Sequence, residues 1–201
     1  LDTPGHKDFA EDTFRTLTAV DSVIVVIDVA KGVEEQTEKL VQVCRMRKTP
    51  IIVFINKLDR EGLDGFDLLD EIETKLGITV APMSWPIGMG QRFRGVYNKW
   101  EKNIMLYKGQ SKQKIEESYE INDLSDPELD ARIGEDYADT LREELEMIDG
   151  VYPEFEKETY LNGDISPVFF GSALNNFGVR ELLDAFVEIA PSPQPKEAEE
   201  R

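Results

Sequence analysis

The segment Asn56-Lys57-Leu58-Asp59 carries side chains that could recognise a guanine base, and it directly follows the apolar run 51–55. Guanine presents two donors on one edge, its N1–H and its exocyclic amine, and the Asp59 carboxylate can accept both. Lys57 can lay its apolar stem along the base, and Asn56 can bridge neighbouring loops through its amide. Such a site would reject the wrong base by roughly 10⁴-fold, because buried groups would be left unpaired. The alternative is a polar turn in which Asp59 caps the next helix.

A second segment, Asp2-Thr3-Pro4-Gly5-His6, has the D-x-x-G pattern of a loop that senses a terminal phosphate. An aspartate there can hold Mg²⁺ through water, and a glycine lets its backbone N–H approach the γ-phosphate without obstruction. His6 follows where a polar side chain could orient an attacking water, and it is the only histidine in the chain. The alternative is a Pro-Gly turn beside an ordinary surface imidazole.

A third segment, Gly171-Ser172-Ala173, ends the apolar run 168–170. Small residues there would let a backbone N–H approach the guanine O6. The alternative is a strand-to-helix connection in which Ser172 caps the helix. Each motif follows a predicted strand, and the order of the three favours a guanine-nucleotide site at the carboxyl edge of a parallel sheet.

The order D-T-P-G-H, N-K-x-D and G-S-A resembles the G domain of translational GTPases, the class that includes elongation factor G. The continuation E-D-T-F-R-T-L-T-A-V-D at 11–21 is similar to bacterial peptide-chain release factor three. So are the segments 56–60, 85–88 (W-P-I-G), 93–97 and 165–174. The resemblance covers essentially the whole chain.

This resemblance implies a P-loop-GTPase-like fold, GTP and GDP as ligands, and Mg²⁺ as the metal. His6 would be the catalytic residue that positions water, Asp2 would support Mg²⁺ through water, and Gly5 would contact the γ-phosphate. The implied base pocket comprises Asn56, Lys57, Asp59, Ser172 and Ala173.

The role that the resemblance implies is the recycling of codon-reading release factors from the ribosome at translation termination. The implied partners are the ribosome and those release factors, and the implied location is the cytoplasm. Two alternatives stay open: the G domain of an elongation-factor-G-like translocase, and a noncatalytic acidic interaction domain on a GTPase scaffold.

The 201 residues depart from the family pattern in one respect. They contain no glycine-rich phosphate loop of the form G-x-x-x-x-G-K-[ST]. We therefore expect the chain to be a fragment of a GTPase, truncated at its N-terminus, that is inactive when tested alone.

The composition argues against several other classes of protein. A hydrophobic content of 40% allows a packed core, and no apolar run approaches the length of a membrane span. The single cysteine, Cys44, cannot form an internal disulfide and is expected to be a small core residue. A net charge of −18 argues against nonspecific nucleic-acid binding, because phosphate contacts need Lys and Arg.

The spacing of apolar runs predicts a doubly wound, mostly parallel α/β sheet with an α+β insertion. Residues 1–81 and 166–190 form the predicted core, 82–165 the insertion, and 191–201 a linker to the next domain. Core strands are expected at 23–27, 51–55 and 168–170, with helices at 34–47, 66–76 and 179–189. Residues 78–86 are expected to be extended. In the insertion we expect short antiparallel strands at 93–97, 104–107 and 115–121, followed by acidic helices at 126–148 and 153–161. Both tryptophans, Trp85 and Trp100, are expected in the core.

Overall fold

A computed structural model describes residues 10–107, 117–121 and 123–192. The helices in these residues are α1 Ala10–Ala19, α2 Glu35–Met46, α3 Gly65–Leu76, α4 Pro127–Ile133, α5 Glu135–Val151, α6 Lys157–Leu161 and α7 Val179–Ile189. The strands are β1 Val23–Asp28, β2 Ile51–Asn56, β3 Thr79–Pro82, β4 Ser84–Ile87, β5 Gly95–Asn98, β6 Asn103–Leu106, β7 Glu117–Glu120 and β8 Ile165–Phe170. A short 3₁₀ helix covers Gly90–Arg92.

A parallel four-stranded sheet has the strand order β1-β2-β8-β3. Strands β1 and β2 consist mainly of β-branched and aromatic residues, a composition that suits a sheet covered on both faces. The register pairs Val23 with Ile51 and Asp28 with Asn56, so β1 and β2 end level with one another. The carboxyl ends of β1, β2 and β8 therefore meet at one edge of the sheet.

Alternate residues of β2 enter two separate apolar cores. Val53 and Ile55 join a cluster that includes buried side chains of α2 and α3, whereas Ile52 and Phe54 join a cluster with α6 and α7. Helices thus cover both faces of the parallel sheet. The predicted doubly wound α/β class is confirmed, and the core strands and helices lie where the apolar runs predicted them.

A second, antiparallel sheet has the order β4-β5-β6-β7. The extended stretch predicted at 78–86 divides between the two sheets, since β3 joins the parallel sheet and β4 the antiparallel one. Ser84 at the start of β4 accepts a hydrogen bond from the Phe170 amide at 2.9 Å. The larger apolar cluster contains residues of both sheets. The division into a core and an 82–165 insertion stays a prediction.

The prediction of a single acidic helix over 126–148 is wrong, because the stretch forms two helices, α4 and α5, which meet at Gly134. That glycine has a φ of 95°, a conformation that side chains disfavour, and it ends α4. Asp126 caps α4 by accepting from the Glu128 amide at 2.9 Å, with proline at the first helical position. Arg142 of α5 ties the helices together by binding Asp130 of α4 at 2.8 Å.

The two tryptophans differ in burial. Trp85 is 1% exposed and lies in the core as expected, but Trp100 is 40% exposed, so its predicted core position is wrong. Trp100 packs edge-on against Phe155 instead, with ring centroids 5.5 Å apart. Cys44 is buried as expected, and burial raises the pKa of its thiol to about 11. None of the helices in the described part of the chain combines the length and apolar character that crossing a membrane requires.

Candidate functional site

Two of the three sequence motifs lie together at the carboxyl edge of the parallel sheet. Asn56 is the last residue of β2, and Gly171 directly follows β8, which pairs with β2 in parallel. The Leu58 amide donates to the Gly171 carbonyl at 3.2 Å, and the Gly171 amide donates to the Ile55 carbonyl at 2.9 Å. These backbone bonds align the loop after β2 with the loop after β8.

The Asn56 side chain joins the two loops. Its Oδ1 accepts from the Ala173 amide at 2.8 Å and from the Lys57 amide at 2.8 Å. The bridging position suggested for Asn56 by its sequence is therefore the one the structure shows. One amide oxygen holds a residue of each motif, which fixes the relative position of the loops.

A second side-chain bond crosses between the loops. Ser172 Oγ donates to Asp59 Oδ1 at 2.5 Å, and Asn175 Nδ2 donates to Ser172 Oγ at 2.9 Å. Ser172 is 1% exposed, whereas Asp59 is half-buried. The carboxylate is thus held by a buried hydroxyl at one oxygen and remains accessible from solvent.

The two capping alternatives for these residues are wrong. Helix α3 is capped by Asp64, whose Oδ1 accepts from the Phe66 amide at 2.8 Å, and not by Asp59. The N-cap of α7 is Gly178, and Ser172 makes no capping bond to that helix. The polar side chains of the two motifs point to one another instead.

Leu58, the variable position of N-K-x-D, anchors the first loop. Its side chain is fully buried between the charged neighbours Lys57 and Asp59. Lys57 adopts a φ of 73°, in the left-handed region that few residues other than glycine occupy. The Asn56 bond to the Lys57 amide and the burial of Leu58 hold the loop in this conformation.

Asp28, at the end of β1, is a residue that the motif analysis missed. Its Oδ2 lies 2.5 Å from Lys57 Nζ, and its Oδ1 accepts from the Ala30 amide at 2.9 Å. Partial burial raises the pKa of Asp28, but the hydrogen bonds from Lys57 and Ala30 outweigh it and hold the pKa below its usual value. The sequence signal was an aspartate directly after the apolar run 23–27.

A cavity of about 230 Å³ opens beside this ion pair. Its lining includes Asp28, Asn56 and Lys57 together with residues of the loop after β1 and the start of α2. Cavity walls of carboxylate, amide and ammonium groups suit a polar ligand that approaches the carboxyl edge of the sheet.

The D-x-x-G segment cannot be placed relative to these loops. Asp2, Gly5 and His6 lie outside the described residues. Within residues 10–107, 117–121 and 123–192, no three His, Cys, Asp or Glu side chains are grouped to hold a metal ion. The predicted magnesium site on Asp2 therefore stays a prediction.

Comparison with solved structures identifies a similar protein from Thermus thermophilus. Its crystal structure superposes with a TM-score of 0.69 at 25% sequence identity. The match covers 96% of this chain and 30% of that one, so the chain spans less than a third of the length of the Thermus protein. Residues 1–192 match the family described as the elongation factor Tu GTP binding domain, and the chain therefore belongs to this family of GTP-binding translational GTPase domains.

Proposed function

We propose that this chain is part of the G domain of a GTPase that recycles codon-reading release factors from the ribosome at translation termination. Family membership supplies the coarser statement, a GTP-binding domain of a translational GTPase. The finer role is supported by the segments at 11–21, 85–88 and 93–97 that resemble release factor three. The ribosome and the release factors are the proposed partners, and the cytoplasm is the proposed location.

The observation that supports guanine binding in this proposal is the pair of side-chain bonds across the two loops. Asn56 holds the Ala173 amide, and Ser172 holds one oxygen of Asp59. In our proposal Asp59 accepts the N1–H and exocyclic amine of guanine, and Ala173 and Lys57 flank the base. A carboxylate already fixed by a buried hydroxyl loses little freedom when the base binds, which favours affinity.

The ion pair between Asp28 and Lys57 gives the Lys57 side chain a defined direction. Its ammonium is held by Asp28 at 2.5 Å, so its apolar stem spans the gap between the ends of β1 and β2. We propose that this stem forms one wall of the base site. An ammonium already paired with Asp28 also leaves the bidentate acceptor, Asp59, free to pair with guanine.

At the phosphate end, the proposal assigns His6 to orient the water, Gly5 to contact the γ-phosphate, and Asp2 to support Mg²⁺. Water attacks the γ-phosphorus, and the bond between the γ-phosphorus and the oxygen that bridges it to the β-phosphate breaks. GDP and inorganic phosphate then leave. Because the 201 residues contain no phosphate loop, we propose that residues 1–201 alone bind GTP weakly and hydrolyse it no faster than buffer.

One experiment tests base recognition and role together, using the full-length protein with Asp59→Asn. Xanthine carries a carbonyl where guanine carries the amine, so an amide donor at residue 59 should favour xanthosine nucleotides. In a reconstituted termination reaction, the unaltered protein should release codon-reading factors with GTP. The Asp59→Asn variant should do so with XTP and poorly with GTP.

Two outcomes would contradict parts of the proposal. If the variant uses GTP as well as the unaltered protein does, Asp59 is not the base reader. If the unaltered protein promotes translocation of peptidyl-tRNA instead of factor release, the translocase role is correct and the recycling role is wrong.

A further inference from the structure

The loop that joins β4 to β5, residues 88–94, contacts both of the loops that form the candidate guanine site. We call it the 88–94 loop. The Gly90 amide donates to the carbonyl of Leu58, the variable residue of N-K-x-D, at 3.0 Å. The Gln91 amide donates to Glu61 Oε1 at 3.3 Å. These two bonds attach the 88–94 loop to the loop after β2.

Gly90 is the residue that makes this close approach possible. Its φ is 59°, in the left-handed region that side chains disfavour. A Cβ at this position would also lie 2.2 Å from Glu61 Oε1. A larger residue would therefore push the 88–94 loop away from the loop after β2.

The same loop contacts the loop after β8 through an aromatic side chain. Phe93 packs edge-on against Phe177 with ring centroids 5.4 Å apart. Tyr107 packs against both rings, at 5.5 Å from Phe93 and 5.9 Å from Phe177. Phe93 is 6% exposed and Phe177 is 3% exposed, so neither ring can be reached by a nucleotide. Phe93 can influence the site only through the residues on which it packs.

Phe177 is joined directly to Ser172. The Ser172 amide donates to the Phe177 carbonyl at 2.9 Å, and the Phe177 amide donates to the Ser172 carbonyl at 2.9 Å. Gly171 approaches this pair so closely that a Cβ there would lie 2.3 Å from the Phe177 carbonyl oxygen. The position of the Ser172 backbone is therefore tied to that of Phe177.

These contacts connect Phe93 to the carboxylate that we expect to read guanine. Phe93 packs on Phe177, whose backbone pairs with Ser172. Ser172 Oγ in turn donates to Asp59 Oδ1 at 2.5 Å. Removing the Phe93 ring would leave a cavity beside Phe177, and the neighbours of a cavity relax partly into it. A displaced Phe177 would move the Ser172 backbone and disturb the bond to Asp59.

We propose that Phe93 is a positioning residue for guanine recognition, because its ring holds Phe177 where Ser172 keeps Asp59 aligned with the base. This role rests on the proposed guanine site, and it adds to that site a residue outside the three motifs. Its consequence is selectivity. Asp59 would accept from the N1–H and the exocyclic amine of guanine, whereas hypoxanthine has no such amine. Misalignment of Asp59 should therefore weaken the preference for guanine more than it weakens nucleotide binding in general.

The test is titration of the full-length protein with GDP and with inosine diphosphate, IDP, whose base is hypoxanthine. The unaltered protein should bind GDP at least about tenfold more tightly than IDP, because IDP leaves the charged acceptor with one bond fewer. Phe93→Leu should lower this ratio of affinities by at least about threefold. The affinity for IDP should fall less than the affinity for GDP.

Phe155→Leu is the matched control. Phe155 also forms an edge-on aromatic pair, with Trp100 at 5.5 Å, but it packs against the other apolar cluster. This variant should lower the melting temperature, as Phe93→Leu does, and should leave the ratio of GDP to IDP affinity unchanged. Thermal unfolding of both variants thus separates a general loss of stability from a loss of alignment at Asp59.

Two further variants complete the test. If Phe93→Leu does not fold, Tyr107→Leu replaces it, because the half-buried Tyr107 packs on the same Phe177 ring. It should lower the ratio about twofold. Combining Phe93→Leu with Phe177→Leu should lower the ratio by less than the product of the two separate effects, because both substitutions remove the same contact.

The outcomes distinguish this role from the guanine site itself. Equal binding of GDP and IDP by the unaltered protein would show that Asp59 does not pair with the amine, and would overturn both proposals. A preference for GDP that persists in full in Phe93→Leu, or in the Tyr107→Leu replacement, would retain the guanine site and overturn the role of Phe93. An equal loss of preference in Phe155→Leu, or independent effects of the Phe93 and Phe177 substitutions, would also overturn that role.

Discussion

The Ser172 hydroxyl donates a 2.5 Å hydrogen bond to Asp59 Oδ1, across 113 positions of sequence. The bond joins the loop after β8 to the loop after β2, and the donor is almost fully buried. Its effect is to orient a half-exposed carboxylate at the carboxyl edge of the sheet. The strength and selectivity of guanine binding should therefore depend on a serine that need not touch the base.

Ser172→Ala should lower GDP affinity of the full-length protein by about threefold to tenfold. The hydroxyl bond to a charged acceptor is one of the stronger kinds, and its loss leaves Asp59 free to rotate. Isothermal titration with GDP measures the change. Ser125→Ala is the matched control, because Ser125 Oγ makes a similar 2.7 Å bond to Asp123 outside the site. Equal affinities for Ser172→Ala and the unaltered protein would show that Asp59 is held by other contacts.

Asn56→Ala should destabilise the fold more than Asn56→Asp does. Asn56 Oδ1 accepts two backbone bonds, from Lys57 and Ala173, and alanine removes both acceptors whereas aspartate retains one or both. We expect a loss of about 1–3 kcal/mol in the free energy of unfolding for the alanine variant. Urea denaturation at neutral pH measures it. Equal losses of unfolding free energy in the two variants would mean that charge or packing at residue 56, and not the hydrogen-bond acceptor, determines the stability.

Asp28→Asn should remove a pH-dependent part of the stability. Partial burial raises the pKa of Asp28, but bonds from Lys57 and Ala30 lower it below its usual value of 3.8. A lowered folded-state pKa gives stability that is present above the unfolded pKa and lost as pH falls through the folded one. Because Lys57 is 40% exposed, the effect should be small, about 0.5–1 kcal/mol.

The measurement for Asp28 is urea denaturation of the unaltered protein and of Asp28→Asn from pH 7 down to pH 3, in steps of about half a pH unit. The difference between them should be constant from pH 7 to about 5 and should shrink below about 3.8. Lys57→Met should reduce the same difference. A gap that widens as the pH falls would contradict the assigned ion pair.

The sheet was predictable because the apolar runs 23–27, 51–55 and 168–170 are typical of strands in a parallel sheet with helices on its faces. The division of 78–86 at Met83 was not predictable from the sequence. Both β3 and β4 are extended, and they differ only in the sheet that each one joins. The burial of Trp100 was predicted wrongly because the residue type alone does not show whether an aromatic side chain is buried or partly exposed.

The helix break at Gly134 is another feature that the sequence pattern did not predict. Leu129, Ile133, Leu141 and Leu145 continue at helical spacing on either side of it, so periodicity predicts no boundary there. At the candidate site, N-K-x-D and G-S-A were visible as motifs. The Asp28–Lys57 ion pair was not, because it depends on β1 and β2 ending level, which is a property of their parallel register.

Glu144 should produce a pH dependence of the opposite sign to that of Asp28. Burial raises the pKa of its carboxyl, and the negative charges of Asp64 and Glu143 add to this effect. Among the described residues, Asp136 and Arg92 are the further charged groups that line the same cavity as Glu144. A raised folded-state pKa gives stability that is present below the unfolded pKa, near 4.5, and lost as pH rises through the folded one.

Glu144→Gln therefore should gain in stability relative to the unaltered protein as the pH rises. Glutamine retains an acceptor for Trp85 Nε1 but never ionises, so it avoids the cost of a partly buried charge. Denaturation across pH 3.5 to 8 measures the difference between the two proteins, with Glu146→Gln as the exposed control on the same helix. The difference should shift toward the variant as pH rises above about 4.5 and then level off, and this change should exceed the one seen for the control. A shift in the other direction would mean that the ionised carboxylate gains more from Trp85 than it loses by burial.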